Sequence, residues 1–383
     1  MFALLRHRVC RSLLALSVLA VSGVRTSAED SFVSLSPLNK LNQAAVVKSE
    51  FLYDKASFPE VHASTIAETP KGLICSFFGG PYEKHPDVGI WVTRQQKDGA
   101  WSAPVEVANG IQHKTLRYPC WNPVLFQFPD GPLQLYYKVG PTPDTWWGML
   151  MESSDSGATW SRPVRLPATI DGPVKNKPIL LKDGALLCPS SSENDGWRVH
   201  FEITRDKGLT WERIGPVNSK EEFGAIQPTV MVHPNGDLQA FSRTQQMVVT
   251  TTTSKDGGRT WSPMKRTELP NPNSGFDIVT LAEGGNVLIY NHTQRNVGEP
   301  KYRNMLNIAL TDDGEHWKAA LVLENSPFEY SYPCIIQTKD GLVHALYTWR
   351  REKVKHVVID PKKLKTEPIV NGIWPGLPRA GKE

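Results

Sequence analysis

A chain of 383 residues, 40% hydrophobic and 21% charged with 12 tryptophans, is long enough for two average domains or one large repeat-built domain. That composition excludes a collagen-like chain, global disorder and a multi-span membrane protein. The formal charge of +4, from 43 basic and 39 acidic residues, resides in the first 28 residues, which carry four arginines and no acid.

Those residues read as a secretory signal peptide. Arg6, His7, Arg8 and Arg11 form a basic start, residues 12–21 an apolar run too short to span a bilayer, and small residues lead to Ala28. Residues 29–383 are then one exported domain with no transmembrane segment and equal numbers of basic and acidic residues. A neutral chain without a Lys/Arg block is not a nucleic-acid binder. Four cysteines remain, Cys75, Cys120, Cys188 and Cys334, each in an apolar run and without CxxC spacing. Export permits disulfides among them, but the apolar surroundings favour buried free thiols.

Next along the chain comes a repeat. The box Ser/Thr-x-Asp-x-Gly-x-x-Trp occurs at Ser153–Trp160, Thr204–Trp211 and Ser254–Trp261, one residue shorter at Thr311–Trp317, and as a worn copy at Asp98–Ser102. Its tryptophans, 101, 160, 211, 261 and 317, are 50 to 59 residues apart, the period of propellers or solenoids. The Asp can accept backbone N–H bonds across a tight turn, and the Gly allows a backbone angle that a side chain resists. The box is therefore structural, and its aspartates are poor catalytic candidates. Out of phase with it run six Gly-containing hairpin turns, at 70–72, 129–131, 182–184, 234–236, 283–285 and 339–341.

Six turns imply six four-stranded units, an all-β six-bladed propeller. No sixth box follows Arg350, so the last blade is expected to borrow an outer strand from residues 31–52. Strand parity puts hairpin turns and boxes on one face. The other face collects the B–C loops and blade crossovers, which hold most of the conspicuous basic, aromatic and amide residues. The cup on that face would be lined by Glu60, His62, Arg117, Trp121, Asn122, Lys175, Asn176, Lys177, Gln227, Asp277, Tyr330 and Tyr332. Arg243, His292, Arg303 and Arg350 would enter from second strands or their loops, while Trp121, Trp146 and Trp147 offer flat faces to sugar rings. Such a cationic cup suits a carboxylated or sulfated glycan. Metal-ligand spacing, a P-loop, a GxSxG elbow and a dinucleotide fingerprint are all missing from the sequence, so neither metal nor cofactor is expected.

Boxes, spacing and blade arithmetic resemble the sialidase superfamily of Asp-box, or BNR-repeat, proteins over residues 45–358. The resemblance implies a carboxylate clamp of three arginines, a Tyr nucleophile assisted by a Glu, and an Asp acid/base. On this sequence it implies Arg243 and Arg303 as clamp arms, with His292 at the family's His/Asn position. It further implies Tyr330 of EYSYPCI as nucleophile and Asp87 as acid/base. Two positions depart from the pattern: residues 58–62 hold no clamp arginine, and Gln227 stands where the assisting Glu belongs. Glu60 or Glu193 would then have to supply the base. Three functions fit these residues. The first is a sialidase-like exo-hydrolase acting on a terminal acidic sugar. The second is a lyase or unusual hydrolase for uronate- or rhamnose-containing polysaccharide, with His62, His200 or His292 as base and Tyr330 or Tyr332 as acid. The third is a noncatalytic carbohydrate-binding propeller.

Overall fold

A computed structural model describes residues 37–293 and 303–376; the segment 1–28 expected to be a signal peptide and most of the loop at 292–303 lie outside the described residues. Six antiparallel sheets form a six-bladed propeller, beside a small two-stranded ribbon of Ile111–His113 and Leu116–Arg117. Apart from the edge strands Val46–Phe51 and Glu367–Pro368, each blade strand pairs with the next in sequence. Blade one is Glu60–Thr69, Gly72–Gly80, Gly89–Arg94 and Val105–Ala108. Blade two is Cys120–Gln127, Leu133–Val139, Trp147–Ser153 and Val164–Arg165. Blades three, four and five begin at Ile179–Leu180, Ala225–Val232 and Asp277–Thr280, and blade six at Tyr330–Gln337. All six expected hairpin turns join first strands to second. The innermost strand of blade one packs on those of blades two and six, which closes the ring.

The sixth sheet is completed as expected. Val46–Phe51 pairs antiparallel with Lys353–Ile359 and forms that blade's outer edge. The borrowed strand is also fastened to blade one: Glu50 accepts N–H bonds from Trp101 Nε1 at 3.0 Å and contacts His356 Nδ1 at 3.0 Å. The worn box thus supplies the tryptophan that seals the junction.

The other boxes work the same way between consecutive blades. Asp155 Oδ1 accepts the N–H groups of Ala158 and Thr159 at 3.0 and 2.9 Å, and Gly157 adopts φ +80°. A Cβ at Gly157 would meet Ile74 of the preceding blade at 2.1 Å. Trp261 stacks on Phe201 of blade three at 3.9 Å, and Trp317 meets Phe241 of blade four edge-on at 5.5 Å. Each such aromatic pair contributes about 0.5–1.5 kcal/mol beyond its burial. Box aspartates are therefore turn pins, half-buried (Asp155, Asp206) or exposed (Asp256, Asp313), on the face opposite the cup.

The pins have a pH signature. Thr210 and Thr260 hold Asp206 and Asp256 down to about 2, first through their hydroxyls and then through their backbone N–H groups. A carboxylate whose folded pKa lies below its unfolded value of about 3.9 adds stability above that value and loses it as pH falls towards 2. The melting temperature is expected to drop between about pH 4 and pH 2, and Asp256→Ala should flatten that slope. An unchanged slope in the variant would show that this aspartate is not a pin.

All four described cysteines are buried and free, as their apolar surroundings suggested, and burial pushes the Cys334 thiol up to about 12. Among the described residues, no helix is long and apolar enough to cross a membrane.

Candidate functional site

The cup is built by one irregularity repeated in four blades. In blades one, two, four and six the innermost strand slips register against its neighbour. The slips fall between His62 and Thr65, Trp121 and Val124, Ile226 and Thr229, and Ser331 and Cys334. Each contains a left-handed residue: Ala63 (φ +53°), Asn122 (+26°), Gln227 (+55°) and Tyr332 (+49°). A bulge of this kind re-aims a side chain. Proline follows three of these residues, at Pro123, Pro228 and Pro333, tolerated because the ladder is already broken there.

The consequence appears in blade six. Tyr332, not Tyr330, faces the cup. Gln227 Nε2 donates to its hydroxyl at 3.3 Å and Arg243 Nη1 at 2.7 Å, while Arg243 Nη1 also reaches Gln227 Oε1 at 3.1 Å. His62 lies against the Tyr332 ring with centroids 4.1 Å apart, and its Nδ1 meets Thr348 Oγ1 at 2.9 Å. Tyr330 instead points into the apolar seam between blades five and six beside Ile335, Val343 and Tyr347. Its hydroxyl pairs with Ser326, and its side chain is fully buried.

Three guanidinium groups surround Tyr332. Arg243, on the second strand of blade four, is held by Asn273 Oδ1 at 3.0 Å and lies over Trp197 at 5.1 Å. Arg303 lies over the Tyr332 ring at 5.7 Å, donating to Glu329 Oε1 at 3.4 Å and the Asn273 carbonyl at 3.1 Å. Arg351 comes from blade six and donates to Glu329 Oε1 at 3.0 Å and Glu83 Oε2 at 2.7 Å. Burial, followed by the Arg243 charge, lowers the Arg303 pKa. Burial also drives His62 well below its usual value, with Arg351, Arg303, Arg243 and Lys175 adding to the effect, so that imidazole is neutral. Burial opposes ionisation of Glu329, but Arg351 and Arg303 outweigh it and hold its pKa down. A crowd of buried cations with one shared carboxylate is a setting that favours anion binding.

The remaining expected site residues fall into two groups. Asp87 sits on the loop between the second and third strands of blade one, its side chain 57% exposed and paired with Arg117 at 2.9 Å. Glu60 is half-buried at the start of blade one and shares a wall with His62, Tyr82, Glu83 and Arg351. Glu193 hydrogen-bonds Trp197, and burial raises its pKa despite Arg243. Asn122 is buried, and its amide makes no hydrogen bond to the described residues. These side chains are arranged around or beside the cup. Neither Glu60 nor Glu193 is hydrogen-bonded to the Tyr332 hydroxyl.

Other expected ligand-binding residues are committed to the fold. Lys175 fastens the centre through Asn176 Oδ1 at 2.8 Å and the carbonyls of Phe276 and Pro333, and burial lowers it to about 8. Lys177 pairs with Asp277 at 2.9 Å. Trp121 is buried and donates to the Gly140 carbonyl at 2.8 Å. Trp147 lies outside the cup, between Arg165 at 4.5 Å and Tyr118 at 5.7 Å. His292 is pinned between Tyr290 and the Gly372 carbonyl at 3.1 Å, and burial lowers it to about 4. Arg350 stacks over Phe328 and Trp349, at 3.7 and 4.1 Å, so the neighbouring Arg351 is the cup residue.

One other cluster has metal-ligand residue types. Ligand atoms of Asp171, His200 and Glu202 lie within 4.8 Å of one another between blades two and three. Glu202 already accepts the N–H groups of Asp171 and Gly172 at 2.9 and 2.6 Å and contacts His200 Nε2 at 3.0 Å. Lys138, buried beside it on the Pro173 carbonyl at 2.7 Å, supplies positive charge. The group reads as a structural knot that joins two blades.

Residues 71–345 match the BNR repeat-like domain family, and the chain belongs to that family. A sialidase from Bacteroides fragilis is 24% identical over 237 residues, covering 57% of this chain. The chain spans only 41% of that relative's length. Among solved structures, NanB sialidase from Streptococcus pneumoniae superposes with a TM-score of 0.66 at 12% identity, over 82% of this chain and 71% of that one. The intramolecular trans-sialidase from Ruminococcus gnavus gives 0.66 at 13% identity, over 85% and 99%. A Dyadobacter fermentans protein of unknown function gives 0.65 at 16%, over 82% and 98%. At these identities the structures share the fold.

Proposed function

We propose that the protein is an exported, exo-acting glycoside hydrolase that removes a terminal acidic sugar from a glycan, with Tyr332 as nucleophile. The observation that carries the reading is the Tyr332 hydroxyl receiving an N–H from Arg243 at 2.7 Å, in a cup where Arg303 also converges. Relatives described as sialidases support an acidic sugar as substrate. Arg243 and Arg303 would hold its carboxylate while Tyr332 attacks the anomeric carbon and an acid protonates the leaving oxygen. Water then cleaves the tyrosyl–sugar bond, with net retention. Gln227 cannot take the phenol proton. In place of an adjacent base, the phenol proton passes to solvent water as the oxygen attacks, and the two N–H donors aimed at that oxygen stabilise the charge it develops. Asp87, on its exposed loop, and Glu193, sheltered against Trp197, are the two candidate proton donors.

A second reading draws on the neutral His62 against the Tyr332 ring. With Nδ1 engaged by Thr348, Nε2 is the nitrogen left to abstract the C5 proton of a uronate. Those electrons form the C4–C5 double bond as Tyr332 protonates the departing oxygen. A product screen separates the two. The protein is incubated with sialosides, uronate-containing polysaccharides and sulfated polysaccharides, and both released sugar and ultraviolet-absorbing unsaturated product are followed. Release of a saturated acidic monosaccharide is expected. Unsaturated product transfers the assignment to elimination, and binding without cleavage sinks both enzyme readings in favour of a carbohydrate-binding propeller.

A further inference from the structure

The segment at 58–62 lacks a clamp arginine, and blade six places one directly alongside it. The Arg351 carbonyl accepts the Val61 N–H at 2.7 Å, so the two segments are stitched together. Arg350 and Arg351 both adopt left-handed backbone, at φ +58° and +65°. Two successive non-glycine residues in that region are strained, and such strain collects at functional sites. The turn sends Arg350 onto Phe328 and Trp349 and Arg351 into the cup beside His62 and Glu83.

The partners of Arg351 differ in kind. Glu329 is a fixed bracket: it accepts from Ser331 Oγ at 2.6 Å, from Arg303 and from Arg351, and so sets the spacing of two guanidinium groups. Glu83 is exchangeable. It lies on the surface loop that also carries Asp87, is 37% exposed, and makes no hydrogen bond to the described residues other than the one to Arg351. A carboxylate reaching in from a partly exposed loop, with one partner to give up, is what a bound acid would replace.

We propose that Arg351 is the third arm of the substrate-carboxylate clamp, and that Glu83 occupies this arm until an acidic sugar displaces it. The assignment rests on the acidic-sugar reading above. It moves the clamp to three consecutive blades, four, five and six, and leaves the blade-one side to His62. A sugar carboxylate would therefore compete with an internal one, and the site would discriminate by charge at that arm.

The test is titration calorimetry on the full chain with sialic acid and glucuronic acid, each against its methyl ester, for wild type, Arg351→Ala and Glu83→Gln. Arg351→Ala should reduce the preference for acid over ester by ~10- to 100-fold, the loss of one charged hydrogen-bonding partner. Ester affinity should stay within about twofold. Glu83→Gln, which removes the competitor, should tighten acid binding by about 3- to 10-fold. Weaker or unchanged acid binding in Glu83→Gln overturns the displacement, because a merely structural pair has the opposite sign. If wild type binds an acid and Arg351→Ala keeps the preference, the clamp assignment alone fails. If wild type binds neither acid, the acidic-sugar reading fails, and the clamp assignment with it.

Discussion

Replacing Tyr332 by Phe should lower kcat/KM on the cleaved glycan on the order of 10³-fold or more, because the attacking oxygen itself is removed. Arg243 keeps Asn273 and Gln227 as partners, so the cup survives and substrate affinity should change little. Tyr330→Phe should do the reverse. Its hydroxyl is bonded to Ser326 in the seam between two blades, where burial raises its pKa. Loss of that buried bond should cost about 1–3 kcal/mol of stability with kcat unchanged. Measuring kcat, KM and thermal midpoint on both variants decides the matter. Lost turnover in Tyr330→Phe, with turnover retained in Tyr332→Phe, would return the nucleophile to the position that the family pattern suggested.

The largest stability effect is expected at Asp277. Its carboxylate accepts the Thr229 hydroxyl of blade four at 2.7 Å, the Lys177 ammonium at the entry to blade three at 2.9 Å, and the Ile335 N–H of blade six at 3.0 Å. Its own blade supplies the Ile278 N–H at 2.9 Å. Four blades are thus joined by one side chain that is 1% exposed. Asp277→Ala removes the acceptor of the Thr229 hydroxyl and the Ile335 N–H, and leaves Lys177 only the Ile278 carbonyl and the Ile278 N–H only Thr229 Oγ1. It should destabilise the fold by about 3–5 kcal/mol. Asp277→Asn, which keeps the shape and two lone pairs, should lose less. Urea unfolding of the two variants checks both the size and the order; an alanine effect below about 1 kcal/mol would remove Asp277 from the central tie.

Much of this architecture was legible because propeller repeats are local. A box needs only an Asp, a Gly and a Trp at fixed offsets, and hairpin turns need only their glycines, so blade number and the two faces follow from sequence. The borrowed strand was also readable, from the missing sixth box. What the spacing could not reveal was where a strand slips register. Tyr330 and Tyr332 share a side of an ideal strand, and the bulge between Ser331 and Cys334 turns only the second into the cup. A signal for it exists: Asn122-Pro123, Gln227-Pro228 and Tyr332-Pro333 recur at the same point of three blades, which aligns Tyr332 with Gln227 rather than Tyr330. Arg350 and Arg351 offer no such clue, because their backbone angles decide which one enters. Sequence places Lys175 and Lys177 at the lining of the cup; in the fold, carbonyls and Asp277 engage them.

The joint that closes the ring also sets an order of events during synthesis. Val46–Phe51 emerges early, yet its partner Lys353–Ile359 comes some 300 residues later. Until then its hydrogen-bonding groups face no sheet, an open template for another chain. The same geometry permits exchange. Besides edge pairing, the strand is held by Glu50 to Trp101 and His356 and by Phe51 against Trp349 at 5.1 Å, so any exchange between nascent chains would have to precede these contacts.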